Sequence, residues 1–190
     1  MGQSFEGRDI PFVMFARSKA NLDKYLEETL PMMLENPAEF INKIENEGFE
    51  NYKPAIWFNN IHSDEANGVD AQLDILRRLA TEDTITFNRA VKNQSKEEIE
   101  TVTLNVQDVL DNFIILFNLN NNPDGRYYNS RATIAGFDPN RDVSYQTQIE
   151  MINVMEGIGK WSPMILNDFH GFVPAFLIEP CTPPHDPNFE

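Results

Sequence analysis

Apolar residues along the chain alternate between short β-prone runs and longer stretches with helical spacing. Short apolar runs predict strands at residues 10–16, 54–62, 113–117, 163–166 and 172–178. Helical spacing recurs over 18–48, where Pro31 and Pro37 interrupt it, and over 68–80 and 144–155. Strands that alternate with helices predict an α/β fold, with a mixed, largely parallel sheet flanked by helices in a single domain.

The remaining stretches give weaker signals. Residues 81–112 are the hardest to assign, and the charged run at 96–100 predicts a solvated helical turn or a loop. Residues 120–125 have loop chemistry throughout, and 136–140 predict a further turn.

Polar clusters follow three of the predicted strands directly. His62 ends the second strand, the Asn-Pro-Asp-Gly sequence at 122–125 follows the third, and His170 follows the fourth. Ligands in such sheets bind beyond the carboxyl ends of the strands. We therefore expect a functional site where these three clusters meet.

Composition excludes several classes of partner. The chain has 190 residues, and its 30 acidic and 15 basic side chains give a formal net charge of −15. Nucleic acids and anionic membranes need a positive surface, so neither is expected as the main partner. No apolar run reaches the ~20 residues that span a bilayer. Cys181 is the only cysteine, which excludes an intrachain disulfide and a cysteine-based zinc site.

A histidine and a carboxylate stand three residues apart in His62-Ser63-Asp64-Glu65. This spacing alone is weak, since a histidine after an apolar strand is more often structural than a ligand. A catalytic zinc site needs three protein ligands and an open position, and two histidines with one glutamate form a common set. His170 completes that set from another strand, so the three residues are candidate Zn²⁺ ligands.

Five segments together carry a resemblance to a known family, and they span nearly the whole chain. They are residues 2–10, 54–65, 122–125, 138–141 and 169–170. In this order the chain resembles the zinc carboxypeptidase family, the carboxypeptidase A-like metallopeptidases. The resemblance implies a carboxypeptidase-like fold and a hydrolase that uses metal-activated water to remove C-terminal residues from peptides.

The resemblance also assigns the metal site. It implies that His62, Glu65 and His170 bind the zinc ion. It further implies that Asp138 accepts the free N–H of His62, which would fix the tautomer and orientation of that ring.

Substrate contacts are implied at three further positions. Asn140 and Arg141 would bind the free C-terminal carboxylate of the substrate, since a guanidinium can form two parallel hydrogen bonds with it. Arg131 would polarise the scissile carbonyl and stabilise the oxyanion. The intervening loop leaves the register open between two arginines, so Arg126 is a competing candidate for this role.

Two departures from the family pattern affect these expectations. Ser63 and Asp64 stand where the family usually has a basic residue. The family's general-base glutamate lies well downstream of the last zinc histidine, and Glu179 is the only carboxylate close behind His170. We therefore expect residues 1–190 to be an incomplete catalytic domain, truncated at both ends, that binds zinc but has weak or no peptidase activity alone.

Two alternative functions stay open at this point. Related deacylases use the same ligand pattern to cleave N-acyl amino acids, and a non-catalytic zinc- or peptide-binding module would need no general base. The preferred partner is a peptide or protein substrate with a free C-terminus. The family resemblance also implies an extracellular location.

Overall fold

A computed structural model describes residues 1–93 and 96–171 of the chain, without the side chains of 92–98. Its strands are β1 (Phe12–Phe15), β2 (Ala55–Asn60), β3 (Thr84–Asn93), β4 (Lys96–Asn105), β5 (Ile114–Asn118) and β6 (Ile165–Phe169). Its α-helices are α1 (Lys19–Lys24), α2 (Leu30–Glu35), α3 (Pro37–Glu47), α4 (Ala66–Thr81), α5 (Val106–Asn112), α6 (Pro123–Tyr128) and α7 (Ile149–Trp161). A π-helical segment (Tyr25–Thr29) joins α1 to α2, and a 3₁₀-helical turn spans Pro139–Arg141.

The main sheet has four strands in the order β1-β5-β2-β6. Strand β2 runs parallel to both of its neighbours, β5 and β6, while β1 pairs with β5 in the antiparallel sense. All residues of the central strand β5 are buried, which is typical of a parallel strand covered on both faces. The predicted α/β fold with a mixed, largely parallel sheet is confirmed.

Helices cover both faces of this sheet, and alternate residues of β5 pack into the core on each side. Ile114 and Leu116 face a core cluster that includes Tyr25, Trp57 and Trp161. Ile115 and Phe117 face the opposite cluster, whose other buried members are Leu79, Val106 and Leu110. Successive side chains of a strand point to opposite faces, so β5 contributes to both layers.

The charged run at 96–100 is a strand, so the prediction of a helical turn or loop there is wrong. It begins β4, which pairs with β3 along its whole length in a separate two-stranded sheet. An ion pair of 2.8 Å joins Arg89 to Glu100, and the hydroxyls of Thr86 and Thr103 lie 3.0 Å apart. These partners are distant along the chain, so a local charge pattern could not reveal them.

Element boundaries also differ from prediction near the prolines. Pro31 lies in the first turn of α2, where its missing N–H is tolerated, so the helix does not stop there. Asn36 does end it and caps α3 by accepting a hydrogen bond from the Glu39 amide at 3.3 Å. The predicted loop at 120–125 instead contains the start of α6, which Asn122 caps through the Gly125 amide at 2.9 Å.

The last helix and strand are shifted towards the C-terminus. The helix predicted at 144–155 is α7, Ile149–Trp161, and the strand predicted at 163–166 is β6, Ile165–Phe169. The strand predicted at 172–178, together with Glu179 and Cys181, lies outside the described residues. In the part of the chain that is described, no helix combines the length and apolar character needed to cross a membrane.

Candidate metal centre

The parallel pairing of β2 with β6 brings the two candidate histidines together. The register aligns Asn60 with Phe169, so the residues that follow both strands emerge at the same edge of the sheet. His62 follows β2 and is fully buried, and His170 follows β6 directly. Their ring centroids lie 4.9 Å apart. Glu65 joins them from the N-cap position of α4.

The ligand atoms of these three residues have the spacing of a zinc site. The two Nδ1 atoms of His62 and His170 are 3.2 Å apart. The Glu65 carboxylate places Oε1 at 3.1 Å from His62 Nδ1 and Oε2 at 3.4 Å from His170 Nδ1. Tetrahedral zinc with bonds of ~2.0–2.1 Å separates its ligands by about 3.3 Å. The three residues therefore fit a zinc ion.

Each histidine ring has an aspartate beside Nε2, the nitrogen that faces away from the candidate metal position. Asp138 Oδ1 lies 3.1 Å from His62 Nε2, and Asp168 Oδ2 lies 3.0 Å from His170 Nε2. A carboxylate accepts hydrogen bonds, so a ring that offers Nδ1 to a metal can donate its remaining proton from Nε2 to its aspartate. In that form both Nδ1 lone pairs face each other and the Glu65 carboxylate, an arrangement that a cation stabilises.

Asp138 is held as an anion by a turn and an arginine. It caps the 3₁₀-helical turn by accepting from the Asn140 amide at 2.8 Å, and its Oδ2 accepts from Arg131 Nε at 3.0 Å. Burial opposes ionisation of Asp138, but the hydrogen bonds from Arg131, the Asn140 amide and His62 outweigh it. The pKa of Asp138 consequently lies below its usual range.

Arg131 also contacts the candidate ligand Glu65. Its Nη1 donates to Glu65 Oε1 at 2.8 Å, and the Gly171 amide donates to Glu65 Oε2 at 2.6 Å. The competing arginine, Arg126, donates to the carbonyl of Ser63 at 3.3 Å, inside the loop that links the first two candidate ligands. Both arginines therefore border the site, and only Arg131 bridges two of its carboxylates.

Asn140 and Arg141 follow Asp138 on the 3₁₀-helical turn. The Arg141 side chain is exposed, and its Nη1 donates to the carbonyl of Asn140 at 3.1 Å. The structure thus brings Asn140 into the bonding of the site through its amide, while the guanidinium of Arg141 lies at the solvent-facing side of the turn.

Asp168 is a site residue that the sequence reasoning missed. Burial is the main effect on it and raises the pKa of Asp168, although His170 and Asn59 act in the opposite sense. A signal was available, because residues two apart in a strand share a face and Asp168 precedes His170 by two. It is the counterpart of Asp138 on the second histidine.

The N-terminal segment supports the loop that carries Arg131. Buried Asp124 on α6 accepts from Ser4 Oγ and Arg8 Nη1, both at 2.6 Å, and from the Glu6 amide at 2.9 Å. Asn122 Nδ2 donates to the carbonyl of Ala132 at 3.1 Å, next to Arg131. The motifs at 2–10 and 122–125 therefore shape the site without entering it.

A protein-family model matches most of the chain. The family model described as zinc carboxypeptidase matches residues 1–153. A search of curated proteins finds no match to the chain. The matched region includes His62, Glu65, Arg131 and Asp138, whereas His170 lies beyond it.

Proposed function

The chain belongs to the zinc carboxypeptidase family, and from this premise we propose that the intact protein is a zinc-dependent metallocarboxypeptidase that removes C-terminal residues from peptides. One observation carries the proposal. Ligand atoms of two imidazoles and one carboxylate converge within 4.8 Å of one another, and an aspartate oxygen lies beside the far nitrogen of each ring.

In this proposal His62, Glu65 and His170 hold the zinc ion. The chemistry that bound zinc supplies is polarisation of the scissile carbonyl and activation of a water molecule at neutral pH. Asp138 keeps the proton on His62 Nε2, so that Nδ1 stays available as a ligand. Asp138 thereby acts through His62 and does not itself touch the substrate.

We assign the stabilisation of the developing oxyanion to Arg131. A guanidinium has five N–H donors, and the contacts with Asp138 and Glu65 engage one each on Nε and Nη1. Three donors remain for the carbonyl oxygen as it gains negative charge, a contribution worth ~10²–10³ in kcat for a single donor. Arg126 holds the loop at Ser63 instead.

We assign recognition of the substrate's C-terminal carboxylate to Asn140 and Arg141. Arg141 is exposed and planar, so it can offer two parallel N–H donors to a carboxylate. The bond between Asp138 and the Asn140 amide ties this turn to the metal site at 2.8 Å. This bond positions the turn that carries Arg141 relative to the metal site.

Paired peptides test this function in the intact protein. Zinc content is measured first, and cleavage of a peptide with a free C-terminus is then compared with that of its C-terminal amide. We expect one zinc per chain and cleavage of the free peptide only. Arg141→Lys should raise KM roughly 10–100-fold, because it loses the bidentate bond, and Arg131→Lys should lower kcat instead. Arg89→Lys, in the β3–β4 hairpin, is the matched control.

Three results would contradict the proposal. Equal cleavage of the amidated peptide would exclude recognition of a free C-terminus. Turnover of N-acyl amino acids in preference to peptides would favour a deacylase, and zinc binding without any turnover would favour a binding module. The extracellular location that the family resemblance implies stays a prediction.

A further inference from the structure

A row of polar side chains crosses three parallel strands immediately beneath the metal site. Asp168 lies in β6, Asn59 in β2, and Asn118 ends β5. The register pairs Asn59 with Asp168, and it pairs Phe58 with Phe117, which places Asn59 beside Asn118. Asn59 and Asn118 are buried, so their polar atoms need partners inside the protein.

The direction of the hydrogen bonds along this row is set at Asn59. Asn118 Nδ2 donates to Asn59 Oδ1 at 2.7 Å, and Trp57 Nε1 approaches the same oxygen at 3.4 Å. An indole nitrogen is a donor only, so the amide oxygen of Asn59 must face Trp57. The amide nitrogen of Asn59 therefore faces Asp168, where it donates to Oδ1 at 2.9 Å.

Asp168 consequently accepts hydrogen bonds from both sides. Its Oδ1 accepts a hydrogen bond from Asn59 Nδ2, and its Oδ2 lies 3.0 Å from His170 Nε2. Asp168 Oδ2 lies closer to His170 Nε2 than Glu65 Oε2, at 3.4 Å, lies to Nδ1. The geometry therefore favours a ring proton on Nε2, with Nδ1 directed towards His62 and Glu65.

We infer that Asp168, oriented by Asn59, is the positioning residue that fixes the tautomer and ring orientation of His170 and so makes it a metal ligand. The inference rests on the proposed function for its metal, but the tautomer is a property of the chain itself. Along the row, Trp57 and Asn118 donate to Asn59, and Asn59 donates to Asp168. His170 faces the other carboxylate oxygen of Asp168.

Replacing Asp168 by asparagine tests this polarity. The amide nitrogen of Asn59 would engage the new carboxamide oxygen, which leaves an NH₂ group facing His170 Nε2. We expect the ring proton to move to Nδ1, where it points into the metal site, and zinc affinity to fall ~10–100-fold. Asp168→Ala removes the partner without supplying a donor, so affinity should fall while no single tautomer is imposed.

The readouts are ¹⁵N NMR of the histidine rings in metal-free protein at about pH 8, above the ordinary titration of histidine, and zinc affinity by chelator competition. Asp64→Asn is the matched control, because Asp64 is an exposed acid in the same loop as His62 and Glu65. It makes the same charge change, and both readouts should be unaltered.

Each outcome bears on the inference. An Nδ1–H tautomer of His170 in the unsubstituted protein would overturn it, whether or not Asp168→Asn folds. Unchanged affinity and tautomer in Asp168→Asn would also overturn it while leaving the proposed function intact. Failure of the unsubstituted protein to bind zinc would defeat the proposed function instead, and the tautomer measurement would still decide the role of Asp168.

Discussion

The two histidines of the candidate centre are held by aspartates in two different ways. The His62–Asp138 and His170–Asp168 pairs have nearly equal lengths of 3.1 and 3.0 Å. Asp138 lies on a turn and is backed by the Arg131 guanidinium, whereas Asp168 lies in a strand and is backed by the Asn59 amide. The pKa is lowered for Asp138 and raised for Asp168, where burial dominates.

This difference shows that the same geometric task can be met by charge compensation or by buried amide dipoles. The half of the site that contains His62 and Asp138 depends on loops. Arg131 follows α6, and α6 is anchored to the N-terminal segment through Asp124. The half of the site that contains His170 and Asp168 depends on strand register, which places Asn59 beside Asp168. A parallel sheet fixes that register, so the second half needs no additional charge to stay in place.

Removing either histidine should have the largest effect on zinc affinity. The two variants should differ in how much they lower the free energy of unfolding. His62→Ala and His170→Ala should each lower zinc affinity by more than the ~100-fold that loss of a ligand's hydrogen-bond partner costs. The His62 side chain is fully buried, while that of His170 is 24% exposed. His62→Ala should therefore also cost roughly 1–3 kcal/mol of unfolding free energy in chelator, and His170→Ala clearly less.

Zinc titration and thermal unfolding in the presence of chelator check both parts. If the two variants were equally destabilised without metal, the contrast between a buried and a partly open half would be wrong. If either variant kept wild-type zinc affinity, that histidine would not be a ligand.

Removing both aspartates tests whether the halves are independent. Asp138→Asn and Asp168→Asn should each weaken zinc binding ~10–100-fold. Since they bond to different rings and have different backing residues, the double variant should lose the product, ~10²–10⁴-fold. Chelator competition on all four proteins of the cycle measures this. A double loss no larger than one single loss would mean that the two aspartates act as one unit.

The same contrast explains what the sequence could predict. The fully buried strand β5 and the apolar β2 stand out as continuous apolar runs, and resemblance led to Asp138. Asp168 was missed although it stands two residues before His170, because the contact that orients it comes from Asn59 across the sheet, which a linear reading does not place beside it. The β3–β4 hairpin was missed because much of its pairing joins residues that are far apart in the chain, as far as Thr84 with Asn105.

Gly68 in α4 lies against both β2 and β6, the strands that precede the two histidines, and it gives the third prediction. We call this contact the seam between the two halves of the site. A Cβ there would lie 2.4 Å from Asn60 Nδ2 of β2 and 2.8 Å from Phe169 Cβ of β6. Gly68→Ala should therefore force α4 away from the sheet and cost roughly 1–3 kcal/mol. Gly159→Ala in α7 is the control, since its Cβ meets nothing within 4 Å, and it should stabilise by about 0.4–1 kcal/mol.

Denaturant unfolding of both variants in chelator makes the comparison. The Gly68 variant should also bind zinc more weakly, because Glu65 and His170 flank the displaced contact. Equal stability of the two variants would show that the seam can relax, and the close approach of α4 would then not be what holds the halves together.

The smallest expected effect is at Gly171, where the second half touches Glu65. Its amide donates to Glu65 Oε2 at 2.6 Å, and a Cβ would lie 3.1 Å from Glu65 Cγ and 3.2 Å from its Cβ. Gly171→Ala keeps the hydrogen-bond donor but crowds the carboxylate, so Glu65 must shift slightly. Zinc affinity should fall roughly two- to fivefold, less than the tenfold lower end for losing a ligand's hydrogen-bond partner. A loss as large as that of Asp168→Asn would mean that the position of Glu65, and not the tautomer of His170, limits zinc binding in this half.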